Sequence, residues 1–205
     1  MKKFTLTLAT IVIALLTTVN FSNASTKFTQ TTLTNISNIN KIEVHGNVEV
    51  YVSNGIKDEV TVNNDYYADN ALVQEEDGVL RISSYKTEKL IVYVTANDLR
   101  AITAYDNASV KSDGRFSSIA LDVNLHDAAY VGLNLDNYAA NINVDDHAKA
   151  DLSGSITEYT LNYSQSSTVN RSQLVALNTT ETVTMPYQAA PKHGRHHMMS
   201  QWMNS

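Results

Sequence analysis

The stretch Ala104–Gly114 reads AYDNASVKSDG, and a cousin of it returns twice: LHDAAYVGLNL from Leu125 to Leu135, and VDDHAKADLSG from Val144 to Gly154. Each copy holds an Asp, then Ala two residues later, then Val or Ala two after that. The sets are Asp106, Ala108, Val110; Asp127, Ala129, Val131; and Asp146, Ala148, Ala150. The aspartates are 21 and then 19 residues apart, and a further step of 19 lands on Gln165 in SQSSTV. Other columns keep the same step. One runs Ile102, Val123, Ile142, Leu161. The next runs Thr103, Asn124, Asn143, Asn162, and the one after it Ala104, Leu125, Val144, Tyr163.

Apolar columns separated by polar ones describe a unit that cannot bury its own face and must stack on copies of itself. At about 3.3 Å per residue, a period near 20 is two or three short strands with turns, and stacked strands sit about 4.8 Å apart. The expected fold is all-β: a right-handed single-stranded β-solenoid (β-helix) with rungs of about 19–21 residues. Ile102, Val123, Ile142 and Leu161 are expected as one buried column. The Asp phrase is expected at the corners, because Asp tolerates the left-handed backbone and bonds its own neighbours.

The rest of the chain agrees with a sheet protein. Both prolines, Pro186 and Pro191, lie near the C-terminus, so residues 25–185 carry no break in the ladder donors. KIEVHGNVEVYVS alternates, with Ile42 and Val44 on one face and, past Gly46, Val48, Val50 and Val52. VQEEDGVLRIS reads as a hairpin closed by a type I′ turn at Asp77–Gly78. KLIVYVT, Lys89 to Thr95, alternates little and is expected to be buried on both faces. The N-terminal strands and the hairpin are expected to cover one end of the stack, and the other end to fade after residue 180.

Composition limits the function. Residues 1–24 read as a secretory signal peptide: Lys2 and Lys3, an apolar run from Leu6 to Val19, and Ser22-Asn23-Ala24 as the cleavage site. Cleavage would leave a single domain over 25–185 and a His- and Met-containing tail over 186–205, expected to be disordered. The chain would then be exported, to the periplasm or cell surface of a bacterium. No later segment is apolar enough for a membrane-spanning helix. The chain has no Cys, which removes disulfides, thiol catalysis and a lipid-anchored cysteine. Net charge goes from −6 to −8 once Lys2 and Lys3 are removed, and a negative field argues against nucleic acid as a partner.

Taken in order, INKIEVHGNVEVYVSNG, DEVTVNN, EEDGVLRIS and LRAITAYDNASV resemble the head-GIN-domain family. Its members are secreted bacterial β-solenoid proteins described as autotransporter adhesin heads. The resemblance spans roughly residues 33–183 and implies fold more than function. Family members carry a Gly-Ala-Gly-like corner where this chain has Asp106-Asn107-Ala108, Asp127-Ala128-Ala129 and Asp146-His147-Ala148. The resemblance implies no catalytic residue.

Four sets of residues are candidates for chemistry. Stacked Asp106, Asp127 and Asp146 could hold Ca²⁺ or act on a polysaccharide. Corner geometry explains them with less, since Gln165 breaks the charge and a catalytic site needs unlike groups converging once. Asn124, Asn143 and Asn162 could meet sugar hydroxyls, or bond amide to amide between rungs. Tyr130 and Tyr105 fall at outward or corner positions and could stack on a sugar ring, whereas Tyr159 and Tyr163 read as core. His126 and His147 fall out of register and make no stacked metal pair. His193, His196 and His197 form a loose metal-binding tract at most. No nucleophile elbow, phosphate loop, HExxH or Ca²⁺-loop motif is present. The expected function is therefore a non-enzymatic binding or adhesin-like module, directed at a glycan or a cell-envelope component, with no cofactor and no metal. Two alternatives remain: a polysaccharide-active β-helix enzyme using the aspartates, and a purely structural envelope protein.

Overall fold

The computed structural model describes residues 30–33, 36–63 and 71–185, and the expected signal peptide and tail lie outside them. The fold is all-β, as expected. Among the described residues, twelve strands form one curled sheet: β1 (Gln30–Thr32), β2 (Lys41–Gly46), β3 (Val48–Asn54), β4 (Glu59–Asn63), β5 (Ala71–Glu76), β6 (Val79–Ser84), β7 (Leu90–Ala96), β8 (Ala101–Ala104), β9 (Ser109–Leu125), β10 (Tyr130–Val144), β11 (Lys149–Ser164) and β12 (Thr168–Thr184).

The four long strands each serve two walls. Their first halves pair in parallel in the order β3, β9, β10, β11, β12, and their second halves continue from β8 in the same order. Partners lie 19 to 21 residues apart, so every tier repeats the inward side chains of the last. Ile102 pairs with Val123, Val123 with Ile142, and Ile142 with Leu161, and all four are buried, as the shared register predicts. Ile42 and Leu80 extend the same column through β2 and β6. Ala108, Ala129 and Ala148 also point inward with no exposure, where a small side chain fits under the corner.

The N-terminal tiers are out of chain order, which periodicity did not reveal. β2 and β3 lie between the β6–β7 tier and the β8–β9 tier. The chain lays down an inner tier, doubles back to build an outer one, and returns to continue the stack. The outer tier is covered by antiparallel strands, β5 on β6 and β4 on β7, with β1 on β4. The hairpin expectation holds: Asp77 and Gly78 both have positive φ, 53° and 80°. KLIVYVT differs from expectation. β7 is buried on one side only, with Ile91 half-buried and Tyr93 39% exposed, because a strand of a one-layer wall has solvent behind it.

At the other end, Val169, Leu174 and Ala176 finish inward columns partly buried, and other positions of β12 carry charge. Glu181 pairs with buried Leu161, and Arg171 lies in the bulge Asn170–Gln173 that faces Asp151–Ser153. Their side chains meet across the last tier at 2.7 Å. Inward-pointing charges on a terminal strand discourage further pairing.

A charge in the shared column should undo this packing. Val123→Asp places an unpaired carboxylate between Ile102 and Ile142, and is expected to lower stability by about 3–5 kcal/mol in urea unfolding. A loss below about 1 kcal/mol would mean the column is not the core.

Candidate functional site

The corner is set by local backbone chemistry. Asp106, Asp127 and Asp146 have φ of 57°, 57° and 52°, the left-handed region that Asp tolerates. Each carboxylate reaches back one tier. Asp106 Oδ2 accepts the Gly46 N–H at 3.0 Å, Asp127 Oδ2 accepts that of Asp106 at 3.1 Å, and Asp146 Oδ2 accepts that of Asp127 at 3.0 Å. The ladder ends at Gly46, whose φ is 79° and where an added Cβ would stand 2.2 Å from the Ser84 carbonyl oxygen. The expected corner role of the phrase is met. Gln165 does not share it: the fourth corner has no positive φ, and the Ser164 and Ser166 hydroxyls donate to the Asp146 carbonyl instead. Gln is a poor left-handed residue, so this turn is built from serine hydroxyls.

Beyond the corner, the outward wall made of β2, β8 and the second halves of β9 to β12 is flat and amide-rich. Asn143 Nδ2 donates to Asn124 Oδ1 and Asn162 Nδ2 to Asn143 Oδ1, both at 2.8 Å. Thr103 and Thr182 continue that column, and Asn141, Thr160 and Thr180 form the one beside it. Toward the corner, Tyr105 is sandwiched between His45 and His126, with ring centroids 4.4 and 4.9 Å away. His45 faces Glu43 at 3.3 Å and His126 faces Asp145 at 3.7 Å. Tyr105 is therefore half-buried in a stack rather than a free platform. His147 is exposed and apart from it, in line with the out-of-register expectation.

On the other wall, Glu49 is nearly buried. It accepts from Lys111 Nζ at 2.7 Å, Lys89 Nζ at 3.0 Å and Tyr51 Oη at 2.5 Å. Burial pushes its pKa up, but the bonds from Lys111, Tyr51 and Lys89 outweigh it and hold the carboxyl at about 2. The bond to Glu49 raises Tyr51 to about 12. Tyr51 stacks on Tyr93 at 5.2 Å, and Lys111 Nζ stands 5.7 Å over the Tyr51 ring. This cluster draws on three strands far apart in the chain, and no local pattern announces it.

Tyr130 lies on the same wall, half-buried, with its ring folded over Gly132. A Cβ on Gly132 would meet the Tyr130 Oη at 2.8 Å. The Tyr130 hydroxyl donates to Asp151 Oδ2 at 2.8 Å. Burial first, then that bond, raises its pKa to about 12. Beside it opens a groove of about 430 Å³. Its floor is the regular β10–β11 pair. On one side the step Lys111–Arg115 of β9 faces the shorter step Gly132–Asn134, and on the other Asn170–Gln173 of β12 faces Asp151–Ser153. The extra residues form the two sides. A trace of this was readable: the first Asp spacing is 21 rather than 19, and the surplus pair falls in the β9 bulge. So of the expected binding residues, Tyr105, Asn124, Asn143 and Asn162 share one wall and Tyr130 stands on the other. Among the described residues no group of three or more His, Cys, Asp or Glu side chains could hold a metal.

The family pattern for "Putative auto-transporter adhesin, head GIN domain" matches residues 38–184, and the chain belongs to this family. In three dimensions it is similar to a putative adhesin from Parabacteroides distasonis ATCC 8503, with 21% identity over 77% of this chain and 78% of that one, at a TM-score of 0.50. It is also similar to a putative lipid binding protein from the same organism, with 13% identity over 76% of this chain and 78% of that one, at a TM-score of 0.54. At these identities the likeness is one of fold. No curated protein matches the chain.

The Glu49 cluster predicts a pH signature. Its folded pKa is depressed, so its stabilisation is present above the ordinary value of 4.5 and is lost as pH falls toward about 2. Because both lysines are partly exposed, the contribution is about 2 kcal/mol. Glu49→Gln should lower stability by that amount near neutral pH, and its difference from the parent should shrink below pH 4.5. A constant difference down to pH 2 would mean the carboxylate is not held as described.

Proposed function

We propose that this chain is an exported, non-enzymatic binding module of the adhesin-like type, directed at carbohydrate. In this reading residues 25–185 form one domain, coiled as a right-handed β-solenoid. The parallel registers 19 to 21 residues apart support the coil. The strong preference of parallel crossovers for the right hand supports its sense. Family membership supports an adhesin-like role and a place at the bacterial cell surface or in the periplasm. Among the described residues no helix is long and apolar enough to cross a membrane, which leaves strand-spanning arrangements unaddressed.

The observation that carries the binding reading is the flat wall of Asn and Thr columns around Asn124, Asn143 and Asn162. Amide and hydroxyl groups at a regular spacing can pair with the hydroxyls of a repeating sugar chain. Tyr130 across the corner supplies aromatic surface, while the faces of Tyr105 are taken by His45 and His126. The enzyme reading is weaker because the carboxylates of Asp106, Asp127 and Asp146 are each committed to a backbone N–H. The structural-envelope reading accounts for the Asn124, Asn143 and Asn162 amides as bonds between tiers, and retention on glycans is what separates it from the binding reading.

A glycan array probed with the mature chain tests this directly. The expected result is retention on a subset of glycans, with no new reducing ends released. Retention on none would sink the carbohydrate assignment, and release of new ends would move the chain to the enzyme class.

A further inference from the structure

The groove on the wall opposite the Asn columns has a composition that selects its ligand. Its floor runs along Gly132, Leu133 and Leu152, the two leucines being buried in the core. Its polar groups are Asn134, Asp151 and Gln173, with Ser153 and the Asn170–Ser172 bulge at the side. No Lys or Arg lines it. Several of its polar groups are already committed. Ser112 Oγ accepts the Asn134 N–H at 2.9 Å, Ser153 Oγ donates to the Leu133 carbonyl at 3.3 Å, and Asn170 Oδ1 accepts the Ser172 N–H at 3.2 Å. Those bonds hold the two sides in place. Among the described residues, the second oxygen of Asp151 and the side-chain amides of Asn134 and Gln173 make no protein hydrogen bond, so they are free for a ligand.

The aromatic wall is also set in advance. Gly132 removes a side chain, and the Tyr130 ring settles into the space with its hydroxyl tied to Asp151. The hydroxyl end of the ring lies over Gly132, one of the residues lining the groove. A flat ring fixed beside a carboxylate and two amides suits a pyranose: the ring takes its C–H face, the carboxylate accepts hydroxyl protons, and the amides both donate and accept. The volume is near the lower end of small-ligand sites, which run from about 300 Å³, so one sugar unit fits better than a long segment. The absence of a lining cation, the Asp151 carboxylate and a chain of net charge −6 oppose an acidic sugar.

We propose that this groove is a binding site for a single neutral sugar unit, with Tyr130 as the stacking platform and Asp151, Asn134 and Gln173 as the hydroxyl partners. The proposal rests on the carbohydrate reading above and narrows it, placing recognition of one unit on the wall away from the Asn columns.

The test is saturation-transfer NMR and calorimetric titration of the mature chain with the methyl glycosides of glucose, galactose, mannose and N-acetylglucosamine. Glucuronic acid serves as the charged probe. At least one neutral glycoside should bind, and glucuronic acid should not. Asp151→Ala and Gln173→Ala alter exposed side chains, and each should weaken binding by about tenfold or more. Tyr130→Ala should do the same, while Tyr130→Phe, which keeps the ring, should retain most of the affinity. Ile56→Ser, a fully exposed position between β3 and β4 and outside the groove, should change affinity by less than about twofold. Melting of each variant checks that the fold is kept. Neutral glycosides that bind all groove variants as well as the parent would overturn the groove and leave the carbohydrate reading standing. Preferential binding of glucuronic acid would overturn the neutral-sugar assignment. No binding of any monosaccharide, with glycans still retained on the array, would overturn a single-unit site. Silence in both assays would remove both readings.

Discussion

Register between tiers is the constraint on which the rest of this structure depends. A unit of about 20 residues cannot bury an apolar face by itself, so each tier is stable only if its inward side chains lie over those of the next. A slip of one residue would turn Val123 or Ile142 out to water. The corner aspartates oppose such a slip at each turn. A residue held at φ near 55° fixes where the chain bends, and its carboxylate bonds the N–H of the corner one tier back. Geometry and bond together key each tier to its neighbour.

Both walls inherit their surface chemistry from that register. Because partners align, Asn124, Asn143 and Asn162 fall into contact and bond in series, and Tyr105 falls between two histidine rings. Where the register is interrupted, the surface changes character. The extra residues in β9 and β12 separate those strands from the regular β10–β11 pair, and the resulting groove is polar, with Tyr130 held against its Gly132 and Asp151. Regularity makes the flat wall, and its interruption makes the recess. At the far end the inward columns finish on partly buried Val169, Leu174 and Ala176 together with the Arg171–Glu181 ion pair.

Much of this was legible in the sequence wherever the period was intact. The column through Ile102 and Leu161, the inward Ala129, the Asn series and the corner role of Asp127 all follow from aligned positions, because side chains one period apart share one environment. The tiers that break the period were not legible. β2 and β3 turn at Gly46 rather than at an Asp, and nothing local says that they sit inside the β6–β7 tier. Ile91 and Tyr93 belong to an apolar run, yet they face water because the sheet is one layer thick at that wall. The fourth corner passed for a copy of the other three by position, although Gln165 lacks the backbone tolerance that defines them. The Glu49 cluster joins Lys89 and Lys111 from other strands, and the lean of Tyr130 onto Gly132 is a tertiary event. The departure of the Asp spacing from 19 to 21 was the one available sign of the groove.

The aspartates key the tiers together by shape and backbone bonding, not by charge. Urea unfolding of two triple variants at positions 106, 127 and 146 tests it most directly. Asn keeps the left-handed tolerance and the accepting oxygen, and it removes the repulsion of stacked carboxylates, so the triple Asp→Asn protein should match or slightly exceed the parent in stability. Ala keeps neither, and the triple Asp→Ala protein should lose about 3–6 kcal/mol, from three left-handed residues at about 1–2 kcal/mol each. Equal losses in the two variants, or a Ca²⁺-dependent rise in the parent's melting temperature that the Asn variant lacks, would contradict the claim and return the carboxylate charge to the centre of the account.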